Sequence, residues 1–187
     1  MTVHDDVINL NDGEFYNQDT IFLFGDWTND AGNPSFFVPG EGTVIMLGDE
    51  QHINGTDVTV FNNLELRATN IKYADLDVVV ENELILNDRE FNCDTNTVFV
   101  TNPDPAIVTS DGGFVSSLSD GGLSREMNTN ADYFFPVGSS LGTVRYRPVF
   151  LEPNFPNGNT FKVRFANTDA TLEAVSYTHL TLPTSVI

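Results

Sequence analysis

The chain has 187 residues, 40% of them hydrophobic and fifteen of them Phe, and its 27 acidic against 8 basic side chains give a net charge of −19. That length buries roughly 70% of the unfolded surface without help from metal or disulfide, and the apolar content excludes a disordered acidic tail. The charge argues against nucleic acid and against an anionic membrane surface, both of which need clustered Lys and Arg.

The opening "MTVHDDVINLNDGEF" lacks the basic and apolar regions of a signal peptide, so a cytoplasmic chain or a missing true N-terminus is expected. Short apolar runs follow in order: "TIFLFG", "TVIML", "VTVFNNLEL", "LDVVV", "ELILN", "TVFV" and "AIVTS". Each is rich in β-branched or aromatic residues and bounded by Gly, Asn, Asp or Pro. No window carries the i, i+3, i+4, i+7 spacing of an amphipathic helix, so the chain reads as all-β. No apolar run approaches the length of a membrane span, and no membrane insertion is expected.

Asn stands at many strand ends: Asn54, Asn62, Asn63, Asn82, Asn87, Asn92, Asn96 and Asn102. A chain that turns corners repeatedly uses Asn and Gly in left-handed conformations, and stacked rungs let like side chains lie over one another. Strand centres near Val44, Leu64, Leu84 and Phe99 recur at roughly 15 to 20 residues, the scale of one solenoid turn. A parallel β-solenoid is therefore expected over residues 1–127, with hairpins in a sandwich as the alternative source of that spacing.

From Asn128 the texture changes. Pro136, Pro148, Pro153 and Pro156 appear, and "TVRYRPVFL" and "TFKVRF" alternate cleanly. In the second, Phe161, Val163 and Phe165 face one way and Lys162 and Arg164 the other, the pattern of a half-buried antiparallel strand. A short antiparallel, sandwich-like β unit is expected over 128–175.

The candidate sites are few. Gly138-Ser139-Ser140-Leu141-Gly142 fits G-x-S-x-G, but a nucleophile elbow needs a helix after the serine, and here another strand follows. His4, His52 and His179 are too scattered for a zinc site, and Ser140 reads as part of a turn. "SDGG" occurs twice, at Ser110 and Ser119, without the later positions of a calcium β-roll repeat. Two tight turns flanking a strand from Phe114 to Leu118 are the plain account, with Asp111 and Asp120 as the only calcium candidates. Asp75, Asp77, Glu81 and Glu83 read as exposed acids between core residues, with Lys72 and Lys162 among the few available cations. Trp27 and Tyr73 read as core aromatics, with stacking on sugars as the alternative, Arg125 as the partner of a nearby acid, and the single Cys93 as a buried idle thiol.

With those residues in view, "GDWTND", "FVPGEGTVIMLGDEQHING", "FNNLEL", "ENELIL", "GGLSR" and "YFFPVGS…YRPVFL" resemble, in that order, a family of large secreted bacterial surface proteins. These carry β-solenoid repeats and leave the cell by type IX secretion. The resemblance covers residues 20 to 152. It implies a secreted or surface-attached, adhesin-like fragment of a larger protein without catalysis or cofactor, whose partners are surface polysaccharide or other cell-surface proteins. A carbohydrate-active enzyme or polysaccharide-binding domain on a β-helix, and a calcium-stiffened adhesin, are the competing readings. At the end, "SYTHLTLPT", Ser176 to Thr184, resembles a transposon adapter of DNA-library preparation translated in one frame, so a non-native tail is expected over 176–187.

Overall fold

The computed structural model describes residues 1–11, 13–33, 37–154 and 158–167. Strands follow one another in triplets. The first turn is β1 (Thr2–Val3), β2 (Val7–Leu10) and β3 (Phe15–Tyr16); the second is β4 (Thr20–Leu23), β5 (Trp27–Asp30) and β6 (Phe37–Val38). Then come β7 (Thr43–Met46), β8 (Gln51–Gly55) and β9 (Thr59–Leu66), the last of which rounds a corner into the fourth turn. That turn continues through β10 (Lys72–Ala74) into β11 (Val78–Ile85), which rounds the same corner one level on. The fifth turn adds β12 (Glu90–Asn92) and β13 (Thr97–Val100); the sixth is a single 3₁₀ turn at Pro105–Ile107, β14 (Val108–Thr109), β15 (Phe114–Ser116) and β16 (Gly122–Met127).

Each strand pairs in parallel with its counterpart one turn away, so the chain is a β-solenoid of about six turns with three faces. Register fixes the stacking. On the first face Ile21 lies beside Val44, Val44 beside Leu64, Leu64 beside Leu84, and Leu84 beside Val108. All five are buried, as is the parallel row Leu23, Met46 and Leu66. The second face contributes Trp27, Ile53 and Ala74, and the third Phe61, Val80 and Val100. One core thus runs the length of the stack, with rungs about 4.8 Å apart. Each turn is joined only to its neighbours, which makes the fold quasi-one-dimensional.

Corners are closed by side chains as well as by backbone. Where the third face meets the first, Asn102 Nδ2 donates to Asn82 Oδ1 at 2.8 Å and Asn82 Nδ2 to Asn63 Oδ1 at 2.7 Å. Asn63 Nδ2 then reaches Thr43 Oγ1 at 3.2 Å, so an amide ladder links four turns. The expected stacking of like side chains holds in this ladder, whereas the expected left-handed corner conformation of Asn does not. Of the eight asparagines singled out, only Asn87 takes a left-handed φ (49°); the other described non-glycine residues that do are Asn11, Ala68, Asn70, Asp94 and Ser119. At the first-to-second-face corner a Cβ on Gly48 would lie 2.2 Å from the Phe24 carbonyl oxygen, so only glycine lets the two turns close.

The two ends differ. β1, β2 and β3 have no strand on their outer edge among the described residues, and their two- to four-residue length limits what that edge can template. At the far end the chain reverses. After β17 (Tyr133–Phe135) and β18 (Val137–Ser139), it forms β19 (Arg145–Tyr146), β20 (Val149–Leu151) and β21 (Asn159–Val163). β18 stacks in parallel on β15, then pairs antiparallel with β19, β17 pairs with β20, and β21 lies antiparallel on β16. Parallel stacking therefore runs to Gly138, beyond the expected limit at residue 127. The antiparallel strands expected over 128–175 attach to the last turns of the solenoid itself, as a cap. Residues 168–175 and the tail expected over 176–187 lie outside the described residues. No described helix is long and apolar enough to cross a membrane.

Candidate functional site

The G-x-S-x-G segment is a hairpin turn. Ser139 ends β18, Gly142 takes φ 74°, and the chain returns as β19. Ser139, not Ser140, is the bonded serine: its Oγ accepts from Leu141 N at 3.1 Å and from Asn167 Nδ2 at 3.3 Å. His4 stacks on Phe24 with centroids 5.1 Å apart, His52 lies on the second face, and His179 is outside the described residues. Among the described residues no histidine is placed against Ser140.

Asp111 and Asp120 sit in the two turns that flank β15, as the repeated "SDGG" led us to expect, and both are exposed. The strand between them ends at Ser116, short of Leu118. The two carboxylates stand at different corners of one turn, and the Asp120 carbonyl accepts Lys162 Nζ at 2.7 Å. Among the described residues no three His, Cys, Asp or Glu side chains group closely enough to hold a metal ion. Cys93 is fully buried, and burial pushes its thiol up to about 12, out of the reactive range.

Three readings from the sequence are corrected by the geometry. Lys72 points inward. Its Nζ donates to the carbonyls of Gly48 at 2.5 Å, of Thr69 at 3.0 Å and of Asp49, filling a cage of backbone oxygens at a corner. Among the described residues Arg125 pairs with no acid; it is fully buried and donates to the carbonyls of Phe134, Asp104 and Pro105 at 2.8 to 3.2 Å. Tyr73 is on the outer surface, whereas Trp27 is core and donates Nε1 to Thr59 Oγ1 at 3.2 Å.

Burial, then the Arg89 guanidinium, lowers the Lys72 pKa to about 8, while Asp49 pulls the other way. The folded chain gives up this proton first. Above about pH 8 the unfolded chain therefore binds more protons, and raising pH favours folding. Moving from about pH 7 to about pH 9.5 should add about 2 kcal/mol through this group. Urea titrations of the wild type and of Lys72→Met will show it: the increment should vanish in the variant, and equal pH slopes would refute it.

The outer side of the second face carries the most varied chemistry. His52, Tyr73, Asn92 and Ser116 follow one another in register along the solenoid axis. The His52 and Tyr73 rings stack at 4.7 Å and 10°. His52 Nδ1 lies 2.7 Å from Asp75 Oδ2, and Glu50 Oε1 is 3.9 Å from Nε2. Burial, helped by Glu50, Glu90 and Asp75, raises the Tyr73 pKa, so its hydroxyl stays protonated and able to donate. Further along, Glu90 Oε1 accepts Ser116 Oγ at 2.5 Å. There a groove of about 150 Å³ is lined by Glu90, Asn92, Ser116, Leu118, Ser139 and Leu141. A second cleft, about 320 Å³, lies by Pro103, Glu126, Asn128 and Asn159 at the cap. Among the described residues each presents one carboxylate, and in neither do two converge.

Sequence reasoning passed over the His52–Tyr73 pair. The two are 21 positions apart (73 − 52), close to one turn, so applying the rung spacing to outward residues would have found it. No protein-family model, curated protein or solved structure matches the chain.

Proposed function

We propose that this chain is a non-catalytic scaffold and adhesion module of a secreted or cell-surface protein. The observation that carries the reading is where the polar groups are spent. Lys72, Arg125, Gln51 and the Asn63–Asn82–Asn102 ladder all satisfy backbone or ladder partners between turns. Such bonds tie rung to rung and stiffen a rod, which is what a module that holds others away from a cell requires. The carboxylates alternate outward: Asp75 and Glu81 are exposed, Asp77 and Glu83 half-buried, and Asp77 caps Thr97 N at 2.7 Å. Hydrolysis of a glycoside by a carboxylate pair needs two such groups across one bond, and both clefts described above offer one. The resemblance to type IX-exported surface proteins supports the same location.

Incubation with acidic and neutral polysaccharides, followed by assay of new reducing ends, tests the reading. No release above a buffer control is expected. Sustained turnover that scales with protein concentration would overturn it.

A further inference from the structure

We infer that the groove on the second face binds an uncharged pyranose unit of a polysaccharide laid along the solenoid axis. This rests on the adhesion reading and names the ligand it would take. The groove holds polar atoms that the fold does not use. Glu90 accepts Ser116 through Oε1, which leaves Oε2 free, and Asn92 accepts Asp94 N through Oδ1, which leaves its Nδ2 free. Ser117 and Ser140 line the same hollow, and their hydroxyls have no partner among the described residues. A carboxylate acceptor and an amide donor side by side match two neighbouring sugar hydroxyls, each of which both donates and accepts.

The walls are apolar and open. Leu118 is 55% exposed and Leu141 63%, and both line the groove with these groups. Two water-exposed leucines beside these polar groups suit a ligand with hydroxyls on its rim and C–H groups on its faces. Charge then narrows the class. No Lys or Arg lines the groove, and the chain carries −19, so a uronate or sulfated sugar would meet carboxylate without a counter-charge. An uncharged pyranose meets no such cost.

Register extends the site. Asn92 and Ser116 continue the row of Tyr73 and His52 at about 4.8 Å per rung. A chain leaving the groove along the axis therefore passes the protonated Tyr73 hydroxyl, so longer oligosaccharides should gain from it and short ones should not.

The test is an amide NMR titration of the whole chain with hexasaccharides of glucose, mannose and galactose, and with oligogalacturonate as the charged control. Shifts confined to residues around Asn92, Ser117, Leu118, Ser140 and Leu141 are expected with at least one uncharged sugar. Glu90→Gln should weaken that binding about tenfold, Leu118→Ser with Leu141→Ser should abolish it, and Tyr73→Ala should weaken the hexasaccharide but spare the corresponding disaccharide, titrated alongside it. These side chains are at the surface, so the variants keep the fold. No groove shift with any uncharged hexasaccharide, or equal binding of oligogalacturonate, would overturn the site and leave the scaffold reading standing. Cleavage of a bound hexasaccharide would do the reverse.

Discussion

Leu64→Ala should lower the free energy of unfolding by about 3–5 kcal/mol, the range for deleting a fully buried leucine that leaves a cavity. Leu64 has no exposed surface and lies in register between Val44 and Leu84. In a layered globule, neighbours on several sides can move in to fill such a hole. Here the turns above and below are pinned by backbone ladders and by the Asn63–Asn82–Asn102 amides, so collapse along the axis is blocked. The melting temperature should fall by about 6–20 °C for a chain of this size. Position in the stack adds a second signature. Turns are coupled only to their neighbours, so weakening a central rung should split one denaturation transition into two that report separately on the halves. Ile8→Ala, at an outward position 56% exposed on the first turn, is the control and should change stability by under about 0.5 kcal/mol. Urea titrations followed by Trp27 fluorescence and by far-ultraviolet dichroism will decide. A loss under about 1 kcal/mol at Leu64 would mean that the first-face row does not carry the core.

The row containing Leu64 was legible in advance because Val44, Leu64 and Leu84 are each 20 positions apart, and one buried position per turn leaves that trace. Phe99 was the false member. It lies on the third face beside Val79, and Val108 takes its place in the first-face row. All three faces share one apolar texture, so a count of strand centres does not tell a neighbouring turn from a neighbouring face. The inward cations were missed for a different reason. Lys72 alternates with Ala74, and Arg125 stands two positions from both Leu123 and Met127, so the period-2 pattern pointed both inward. The general expectation that Lys and Arg stay in water outweighed it. The alternation was the better guide, because corners of a solenoid gather carbonyl oxygens that strands do not satisfy, and a cation is the donor able to serve three at once.

The same distinction explains what could be read of the candidate site. "TFKVRF" gave its faces correctly: Phe161, Val163 and Phe165 pack against the core, and Lys162 and Arg164 are exposed. A local pattern sufficed because one strand carries both faces. The groove instead joins residues from three turns, Glu90 and Asn92, Ser116 to Leu118, and Ser139 to Leu141. Insertions make those turns unequal: Thr59 to Val78 spans 19 positions (78 − 59), and Val98 to Leu123 spans 25 (123 − 98). Register must be known before outward residues can be brought together, and unequal turns hide it.

Arg125→Ala should cost about 3 kcal/mol or more and should act on the cap before the rest of the stack. Its guanidinium occupies an inward position beside Val100, where the apolar row of the third face would otherwise continue. The rings of Tyr133 and Phe135 lie 5.1 and 5.8 Å from its centre, and Tyr133 Oη donates to the Pro103 carbonyl at 2.6 Å, which ties the crossing segment down. Alanine removes three hydrogen bonds from a charged donor, at about 1.5–3 kcal/mol each, and opens a cavity besides. Against this stands the relief of a buried charge: burial lowers the Arg125 pKa to about 10, although Tyr133 and Asp104 hold it up. That relief is about 3 kcal/mol, smaller than the sum of the losses, so destabilisation wins. Lysine keeps the charge but not the planar fork that spans Phe134, Asp104 and Pro105 together, so Arg125→Lys should recover less than half of the loss. Hydrogen exchange will show where the effect falls. Amides of β16 and β17 should lose protection while those of β7 and β9 keep theirs, because coupling in the stack passes only from turn to turn. Uniform loss over all turns would show that the cap and the solenoid unfold as one, and an Arg125→Ala chain as stable as the wild type would remove the carbonyl cage from the account.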